Sequence, residues 1–282
     1  MKLRKVTAAS AAVLALAVTA TACGSDDGGD DSGSGSAGGG KITIGIKIDQ
    51  PGLGLKTPDG KYTGFDVDVA TYVAKELGYK PGDITFKETK SADRETAIER
   101  GDVKFIAATY SINDERMKKV DFAGPYLLAH QDILIRADDT SFKSPDDLND
   151  KKLCSVVGST SAKNVKEKLA PKAQLQEYGG YSECLTGLEN KVIDALTTDD
   201  SILAGFAAQK EFQGKFKLAG FKMSNENYGI GLKKGDTELK DKINAALTKM
   251  FSDGAWDKAV KDNFGPANYK NEPAPKIGNI VK

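Results

Sequence analysis

KITIGIKIDQPGLGLKTPDGKYTGFDVDVATYVAKELGY (residues 41–79) contains the alternation that decides the fold class. Isoleucine occupies every second position from 42 to 48, which is the pattern of a strand with one buried face. GFDVD (64–68) then opens a segment whose apolar residues repeat at helical spacing, and Gly78 ends it. A strand followed by an amphipathic helix predicts an α/β architecture.

The same alternation continues along the chain. We expect further strands at residues 104–110, 132–135, 153–157 and 192–198. Helices are expected after Ser161, from about Ser201, from Asp236 and, beyond a break at Gly254, around Trp256, Val260 and Phe264. This order predicts a largely parallel sheet. Ligands of such sheets lie beyond the carboxyl ends of the strands, so residues that follow strands are the site candidates.

The first forty residues are predicted to serve export and tethering. Three basic residues precede the apolar run 8–22, whose small residues end directly before Cys23. We predict a lipoprotein signal peptide over residues 1–22, lipidation (palmitate) of Cys23, and a flexible Gly/Ser/Asp tether over residues 23–40. An uncleaved membrane anchor, or secretion with a free thiol, is the alternative. The apolar run is shorter than the roughly 20 residues that a spanning helix needs.

Composition argues against several function classes. The 282 residues include 40 Lys+Arg and 40 Asp+Glu, so the chain lacks the basic excess of a nucleic-acid-binding protein. A single histidine, His130, excludes any site that needs two imidazoles, and with three cysteines it argues against a structural zinc site. No Walker motif is present. We expect no metal, no cofactor and no nucleic-acid partner.

Two cysteines, Cys154 and Cys184, remain once Cys23 is assigned to the lipid. An even pair in an exported chain favours a disulfide between them. Two separate buried thiols are the alternative. Neither interpretation makes them catalytic, because no CxxC motif or neighbouring histidine accompanies them.

Polar residues follow three of the predicted strands. In SINDER (111–116), Asn113 is a good N-cap for a short helix that carries Arg116, and free backbone N–H groups beside a guanidinium form a carboxylate receptor. GSTS (158–161) again places hydroxyls at a helix start and suits an anion, although simple capping is the favoured explanation when the segment is taken alone. In the Asp199–Asp200 pair, one acid caps a helix and the other is free to meet an ammonium group.

Together these segments resemble the bacterial solute-binding proteins of family 3, the polar amino-acid-binding components of ABC importers. The resemblance spans about residues 41–265. It is carried by GFDVDVATYVAKELGY (64–79), TYSINDERMKKVDFAGPY (109–126), GSTSA (158–162), DALTTDDSI (194–202), NYGIGLKKGD (227–236) and GAWDKAVKDNFG (254–265). Within the family the chain is most similar to glutamate-binding lipoproteins.

The resemblance implies a two-lobe, periplasmic-binding-protein-like fold of type II, whose lobes close over a ligand. Lobe 1 would comprise residues 41–130 and 228–282, and lobe 2 residues 131–227. Two crossing strands near 129–133 and 225–230 would form the hinge. The resemblance further implies that the ligand passes to the transmembrane subunits of a permease with a cytoplasmic ATPase. We expect a monomer held at the outer face of the cell membrane by its lipid alone.

Family roles also transfer to particular residues. Arg116 would bind the α-carboxylate of an amino acid, with Ser111 and the backbone around Asn113. Thr160 would contact the same carboxylate from lobe 2. Asp199 would bind the α-ammonium, with Asp200 as the alternative one position along.

The ligand side chain would lie near Lys47, Gln50 and Arg94, and Thr109 is a further expected ligand-binding residue. Lys47 and Arg94 could also be merely solvated charges. A buried cation needs a partner, so these cations predict an acidic amino acid, glutamate before aspartate or glutamine. The alternatives are an enzyme of the same fold, similar to a dehydratase, and a ligand sensor without transport.

Overall fold

The computed structural model describes residues 40–282. The predicted signal peptide, Cys23 and the tether up to residue 39 lie outside the described residues. Within residues 40–282, no helix combines the length and the apolar character needed to cross a bilayer.

The described chain contains twelve β-strands and eight α-helices. The strands are β1 (Ile42–Ile46), β2 (Asp49–Gln50), β3 (Gly54–Lys56), β4 (Tyr62–Thr63), β5 (Ile84–Glu88), β6 (Phe105–Ile106), β7 (Val120–Arg136), β8 (Lys152–Val156), β9 (Gln174–Tyr178), β10 (Ala195–Asp199), β11 (Phe216–Leu218) and β12 (Asn225–Lys233). The helices are α1 (Phe65–Glu76), α2 (Arg94–Glu99), α3 (Asp114–Met117), α4 (Thr160–Asn164), α5 (Tyr181–Glu189), α6 (Asp200–Ala207), α7 (Thr237–Ser252) and α8 (Ala255–Phe264).

Two sections of sheet share the long strand β7. The first section has the order β5-β1-β6-β12-β7, and the second has the order β7-β10-β8-β9, with β11 also paired to β7. Pairs β1/β5, β1/β6, β8/β10 and β8/β9 are parallel. β7 is antiparallel to β10, β11 and β12, and β12 is antiparallel to β6. The prediction of a largely parallel sheet is therefore wrong at its centre, where two long strands run in opposite directions.

The two lobes join where β7 and β12 pair, with Asn225 opposite His130 and Glu226 opposite Ala129. The predicted hinge segments 129–133 and 225–230 lie within these strands. We use "lobe 1" for the first sheet section with its helices and the separate small sheet β2-β3-β4, and "lobe 2" for the second sheet section with its helices. The boundaries at residues 130 and 228 remain a prediction.

The segment at 104–110 is shorter as a strand than its apolar sequence predicts. Only β6 pairs with its neighbours, although Ala107, Ala108 and Tyr110 are fully buried. Thr109 has φ +46°, and its N–H donates to Asp66 Oδ2 at 2.8 Å. The chain thus leaves the sheet to reach a buried carboxylate on α1.

Helix α1 explains how that carboxylate is held in place. Val69, Ala70 and Val73 are fully buried, as the helical spacing predicts, and α1 contacts β1, α7 and α8. Burying the apolar face of an amphipathic helix is what fixes it on a domain. Asp66, in its first turn, is therefore buried together with the core.

Cys154 on β8 and Cys184 on α5 form the predicted disulfide, with their Cα atoms 5.7 Å apart. The bond closes a loop with a sequence separation of 30 residues. The disulfide attaches α5 to β8, an inner strand of the second sheet section.

Removing this disulfide should lower the free energy of unfolding by about 3–4 kcal/mol, because the unfolded chain loses a loop constraint. The measurement is urea unfolding of Cys154→Ala/Cys184→Ala against the oxidised chain. Dithiothreitol should destabilise the natural chain similarly and leave the double variant unchanged. A natural chain whose stability is the same with and without reductant would contradict the prediction.

Candidate functional site

A small cavity lies between the two lobes, and its volume of about 10 Å³ leaves room for little more than one water molecule. Its lining residues are Ser91, Arg94, Thr109 and Arg116 from lobe 1, and Ser159, Thr160, Ser161, Tyr181, Thr198, Asp199 and Ile202 from lobe 2. Most of them carry hydroxyl or charged groups, which suits a polar ligand.

Three cationic side chains are buried at this site: Lys47 is 5 % exposed, Arg94 2 % and Arg116 8 %. Lys47 Nζ donates to Ser91 Oγ at 2.9 Å, which places the ammonium directly behind the lining. Burial, and after it the nearby Arg94, lower the pKa of Lys47 to about 7. Neither Lys47 nor Arg94 is the solvated surface charge that the sequence left open.

Arg94 begins α2 and reaches back to the turn after β6. Its Nη1 donates to the carbonyls of Ala108 at 3.0 Å and Thr109 at 3.3 Å. Its Nε has no hydrogen-bond partner among residues 40–282. Burial, followed by the charge of Arg116, lowers the pKa of Arg94 to about 10. A buried donor without an acceptor is a group that an incoming anion can satisfy.

Arg116 connects the two lobes. Asn113 is the N-cap of α3, as predicted, and its Oδ1 accepts from the Arg116 N–H at 2.9 Å. The guanidinium donates to the carbonyl of Ser111 at 2.8 Å and, across the cleft, to that of Gly158 at 3.0 Å. Glu95 Oε1 lies 3.6 Å from its Nε. The cation is thus held beside the cavity by both lobes.

The hydroxyl groups at the start of α4 have two kinds of partner: one caps the helix, and two donate to carboxylates. Ser159 is the N-cap and accepts from the Ala162 N–H at 3.0 Å. Thr160 Oγ1 donates to Glu226 Oε2 at 2.9 Å, and Ser161 Oγ donates to Asp199 Oδ1 at 3.4 Å. Because Ser159 does the capping, the simple capping explanation does not account for Thr160 and Ser161.

The two adjacent aspartates have different surroundings in the structure. Asp199 lines the cavity and its Oδ2 accepts from Tyr228 Oη–H at 2.5 Å. Burial, and after it the charge of Glu226, raise the pKa of the Asp199 carboxyl well above its usual range. Asp200 is not in the lining, and its carboxylate accepts from the His130 N–H at 3.0 Å. Asp199 is therefore the acid that faces the cavity.

Other predicted residues support the lining from behind. Gln50 is fully buried; its Oε1 accepts from Thr109 Oγ1 at 3.2 Å, and its Nε2 has no partner in the described part of the chain. Ser111 offers its carbonyl to Arg116, and Asn113 caps α3. The structure thus brings five predicted residues into the lining, which are Arg94, Thr109, Arg116, Thr160 and Asp199. Their contacts with a ligand stay a prediction.

Several site residues escaped the sequence analysis. Asp66 holds Thr109 and also accepts from Tyr126 Oη–H at 2.7 Å, and burial raises its pKa to about 6. Thr198 directly precedes Asp199, so its position at a strand end was a usable signal. Ser91 and Tyr181 lie in segments with no motif that indicates a site.

The lobes touch each other around the cavity. Asp49 Oδ2 on β2 accepts from the backbone N–H of Tyr181, the first residue of α5, at 3.1 Å. Lys163 on α4 forms an ion pair with Glu115 on α3. Together with the Arg116–Gly158 hydrogen bond, these contacts describe a closed arrangement of the lobes.

Three glycines of lobe 2 allow this close approach. A Cβ atom at Gly205 would lie 2.0 Å from the carbonyl oxygen of Pro51 in lobe 1. At Gly180 it would lie 2.8 Å from Asp49 Oδ2, and at Gly158 2.8 Å from the Cα of Ala92. Real Cβ atoms almost never approach other heavy atoms this closely. We call these three residues the closing glycines.

No group of three or more His, Cys, Asp or Glu side chains within residues 40–282 is arranged to hold a metal ion.

Comparison with known proteins agrees with the architecture of the site. Residues 42–266 match the model of the bacterial extracellular solute-binding proteins, family 3. The glutamate-binding protein GluB of Corynebacterium efficiens is 48 % identical over 272 residues, covering 93 % of this chain and 91 % of the relative. The ABC transporter glutamine-binding protein GlnH of Bacillus subtilis is 40 % identical over 223 residues, covering 78 % and 80 %.

A solved structure shares the fold as well. An ancestral arginine-binding protein bound to arginine superposes with a TM-score of 0.74 at 35 % identity, covering 80 % of this chain and 99 % of that one. A family match over most of the chain, two relatives at 40 % identity or more and a shared two-lobe fold lead to one conclusion. The chain belongs to family 3 of the bacterial extracellular solute-binding proteins.

Proposed function

We propose that this protein binds an acidic amino acid, glutamate before aspartate or glutamine, and delivers it to an ABC permease. The observation that carries the proposal is the charge of the cavity. Two lining cations, Arg94 and Arg116, with Lys47 buried directly behind them, stand against one lining carboxylate, Asp199. Glutamate has two carboxylates and one ammonium group, so each of its charges would meet an opposite charge. A buried charge without such a partner costs several kcal/mol.

In this proposal Arg116 binds the α-carboxylate, and Thr160 adds a contact from lobe 2. Asp199 binds the α-ammonium, while Lys47 and Arg94 bind the side-chain carboxylate. Both lobes contribute, so the ligand favours the closed arrangement through contacts that the open one lacks. The names of GluB and GlnH support a ligand of this size and shape.

The site argues against a basic ligand, and the names of two relatives argue against catalysis. The arginine-binding ancestor shares the fold, but the side chain of arginine would here meet Lys47 and Arg94. A bound lysine or arginine would need a second acid in place of Lys47. Two relatives at 46–48 % identity are named as binding proteins, so we propose binding without a chemical step.

Membership in an extracellular family makes the chain an exported protein. We further propose that Cys23 carries the lipid that holds it at the outer face of the membrane, as a monomer, and that its partners are permease subunits with a cytoplasmic ATPase. Metabolic labelling with palmitate, compared between the natural chain and Cys23→Ala, tests the anchor. Equal labelling of both chains would contradict it.

The ligand is tested by calorimetric titration of residues 41–282 with glutamate, aspartate, glutamine, asparagine and arginine, after unfolding and refolding to remove co-purified ligand. We expect glutamate to bind tightest, at micromolar Kd or better, about −8 kcal/mol. Tightest binding of arginine would overturn the charge argument, and binding of none of the five would overturn the function.

The preference for glutamate over glutamine should decrease as the pH rises above 7. In the empty site the pKa of Lys47 is about 7, lowered by burial, Arg94 and Arg116 against the opposing charges of Asp49 and Glu88. A ligand carboxylate would raise this pKa, so above pH 7 glutamate must bind together with a proton. The ratio of the two affinities should then decrease by up to about tenfold per pH unit.

The comparison of two ligands isolates Lys47, because both ligands present the same ammonium to Asp199. Titrations at pH 6, 7, 8 and 9 measure the ratio, and Lys47→Met should make it independent of pH. A ratio that stays constant from pH 6 to pH 9 in the natural chain would contradict the assignment of Lys47 to the side-chain carboxylate.

A further inference from the structure

Tyr110 lies fully buried directly behind the site, outside the lining. The Cζ atom of Arg94 is 4.1 Å from the centroid of its ring, and the Cζ atom of Arg116 is 5.1 Å from the same centroid. One aromatic ring therefore contacts both arginines that the proposed function assigns to the ligand's carboxylates. Its hydroxyl forms no hydrogen bond within the described residues.

The ring is seated between β12 and β7. At Gly231 on β12, a Cβ atom would lie only 2.6 Å from Tyr110 Cε1, so the glycine leaves room for the ring. On another side, the ring of Phe122 packs against Tyr110 edge to face, with centroids 4.7 Å apart. The position of the ring is thus determined by the sheet and is independent of the ligand.

Two buried guanidinium groups repel each other, and the nearby Glu95 carboxylate forms an ion pair with Arg116. The negative face of an aromatic ring attracts a cation, and this attraction strengthens when the pair is removed from water. A shared ring also restricts where the two planar groups can lie. Binding is tighter when the ligand does not have to order the side chains it contacts.

We propose that Tyr110 is a positioning residue that holds Arg94 and Arg116 in their binding orientations before the ligand arrives. The inference rests on the proposed function, because it takes these two arginines as the carboxylate-binding groups. The ring, rather than the hydroxyl, carries the role.

The test compares Tyr110→Phe and Tyr110→Leu by calorimetric titration with glutamate, together with thermal unfolding of the ligand-free chains. Tyr110→Phe keeps the ring and should retain the natural affinity within about threefold. Tyr110→Leu should bind glutamate about 10- to 30-fold more weakly, which corresponds to the loss of a desolvated cation–π pair. Rescue by phenylalanine separates the role of the ring from that of the hydroxyl.

Phe122→Leu is the matched control, because it removes a buried ring from the same cluster without touching either arginine. It should lower the melting temperature about as much as Tyr110→Leu and leave the affinity within about threefold. In the Arg94→Met background, Tyr110→Leu should cause a smaller loss of glutamate affinity, because one of the two cations is gone. Equal affinity losses for Tyr110→Leu and Phe122→Leu would overturn the proposal.

If Tyr110→Leu does not fold, fluorinated phenylalanines at position 110 preserve the shape of the ring while weakening its negative face. Affinity should then decrease with each added fluorine, and a constant affinity would overturn the proposal. A natural chain that binds a different amino acid would refute the acidic-ligand proposal alone. The same variants, titrated with that amino acid, would still test Tyr110 through its carboxylate.

Discussion

Arg116→Ala should reduce glutamate affinity by about 150- to 5,000-fold, because removing one partner of a buried charge pair costs about 3–5 kcal/mol. The guanidinium is 8 % exposed and already oriented by the carbonyls of Ser111 and Gly158. Without it, the α-carboxylate would lose the cation assigned to it, since the proposed function assigns Lys47 and Arg94 to the side-chain carboxylate. The measurement is calorimetric titration, with thermal unfolding to verify that the ligand-free chain is folded.

Two further variants separate charge from geometry. Arg116→Lys keeps the positive charge but loses the planar pair of donors, so we expect it to recover only part of the affinity. Arg100→Ala removes an exposed arginine at the end of α2 and should leave the affinity unchanged. An Arg116→Ala chain that still binds within tenfold of the natural one would show that another cation binds the α-carboxylate.

Gly205→Ala should weaken glutamate binding by about 100-fold or more while leaving the ligand-free protein as stable as before or more stable. The new Cβ atom would lie 2.0 Å from the carbonyl oxygen of Pro51, a backbone atom that cannot rotate away. The lobes would then stop short of closure, and the ligand would lose the contacts of one lobe, a change of at least about 3 kcal/mol. Within α6, however, alanine is favoured over glycine by about 1 kcal/mol.

This combination of effects distinguishes blocked closure from misfolding, since a misfolded variant would lose stability and affinity together. Gly187→Ala is the matched control: it lies in α5 of the same lobe, and its Cβ atom would meet only Ile193, at 3.4 Å. It should leave the affinity unchanged. Small-angle scattering with saturating glutamate should show a larger radius of gyration for Gly205→Ala than for the natural chain. Equal radii and affinities would refute the closing role of Gly205.

Local patterns predicted much of the fold and part of the site. The alternating isoleucines of β1, the apolar stripe of α1 and the Asn113 cap before Arg116 each depend on neighbours within a few residues, so the sequence contains the whole signal. The antiparallel course of β7 and β12 could not be predicted in this way, because their pairing joins segments about a hundred residues apart. Pairing between strands that are distant along the chain produces no periodic pattern in the sequence.

The same distinction applies within the site. Two adjacent aspartates have equal capping chemistry, and distant partners of Asp200, the His130 N–H and the Tyr269 hydroxyl, leave Asp199 as the acid that lines the cavity. Arg94 can be buried because carbonyls 14 and 15 residues away accept its hydrogen bonds. Its contact with Tyr110 depends on the geometry of the turn at Thr109. These contacts depend on the tertiary structure, although the sequence had already identified Arg94, Asp199 and Asp200 as candidates.

The pairing of Asn225 with His130 has a consequence for how such proteins can be rebuilt. The chain enters and leaves lobe 2 on neighbouring antiparallel strands, so the two crossing points lie about 4.5–5.5 Å apart, Cα to Cα. A two-residue hairpin turn could join them directly. Lobe 2 could therefore be replaced by the corresponding lobe of another family member, and the backbone of the graft would have to join lobe 1 at only two adjacent strand ends.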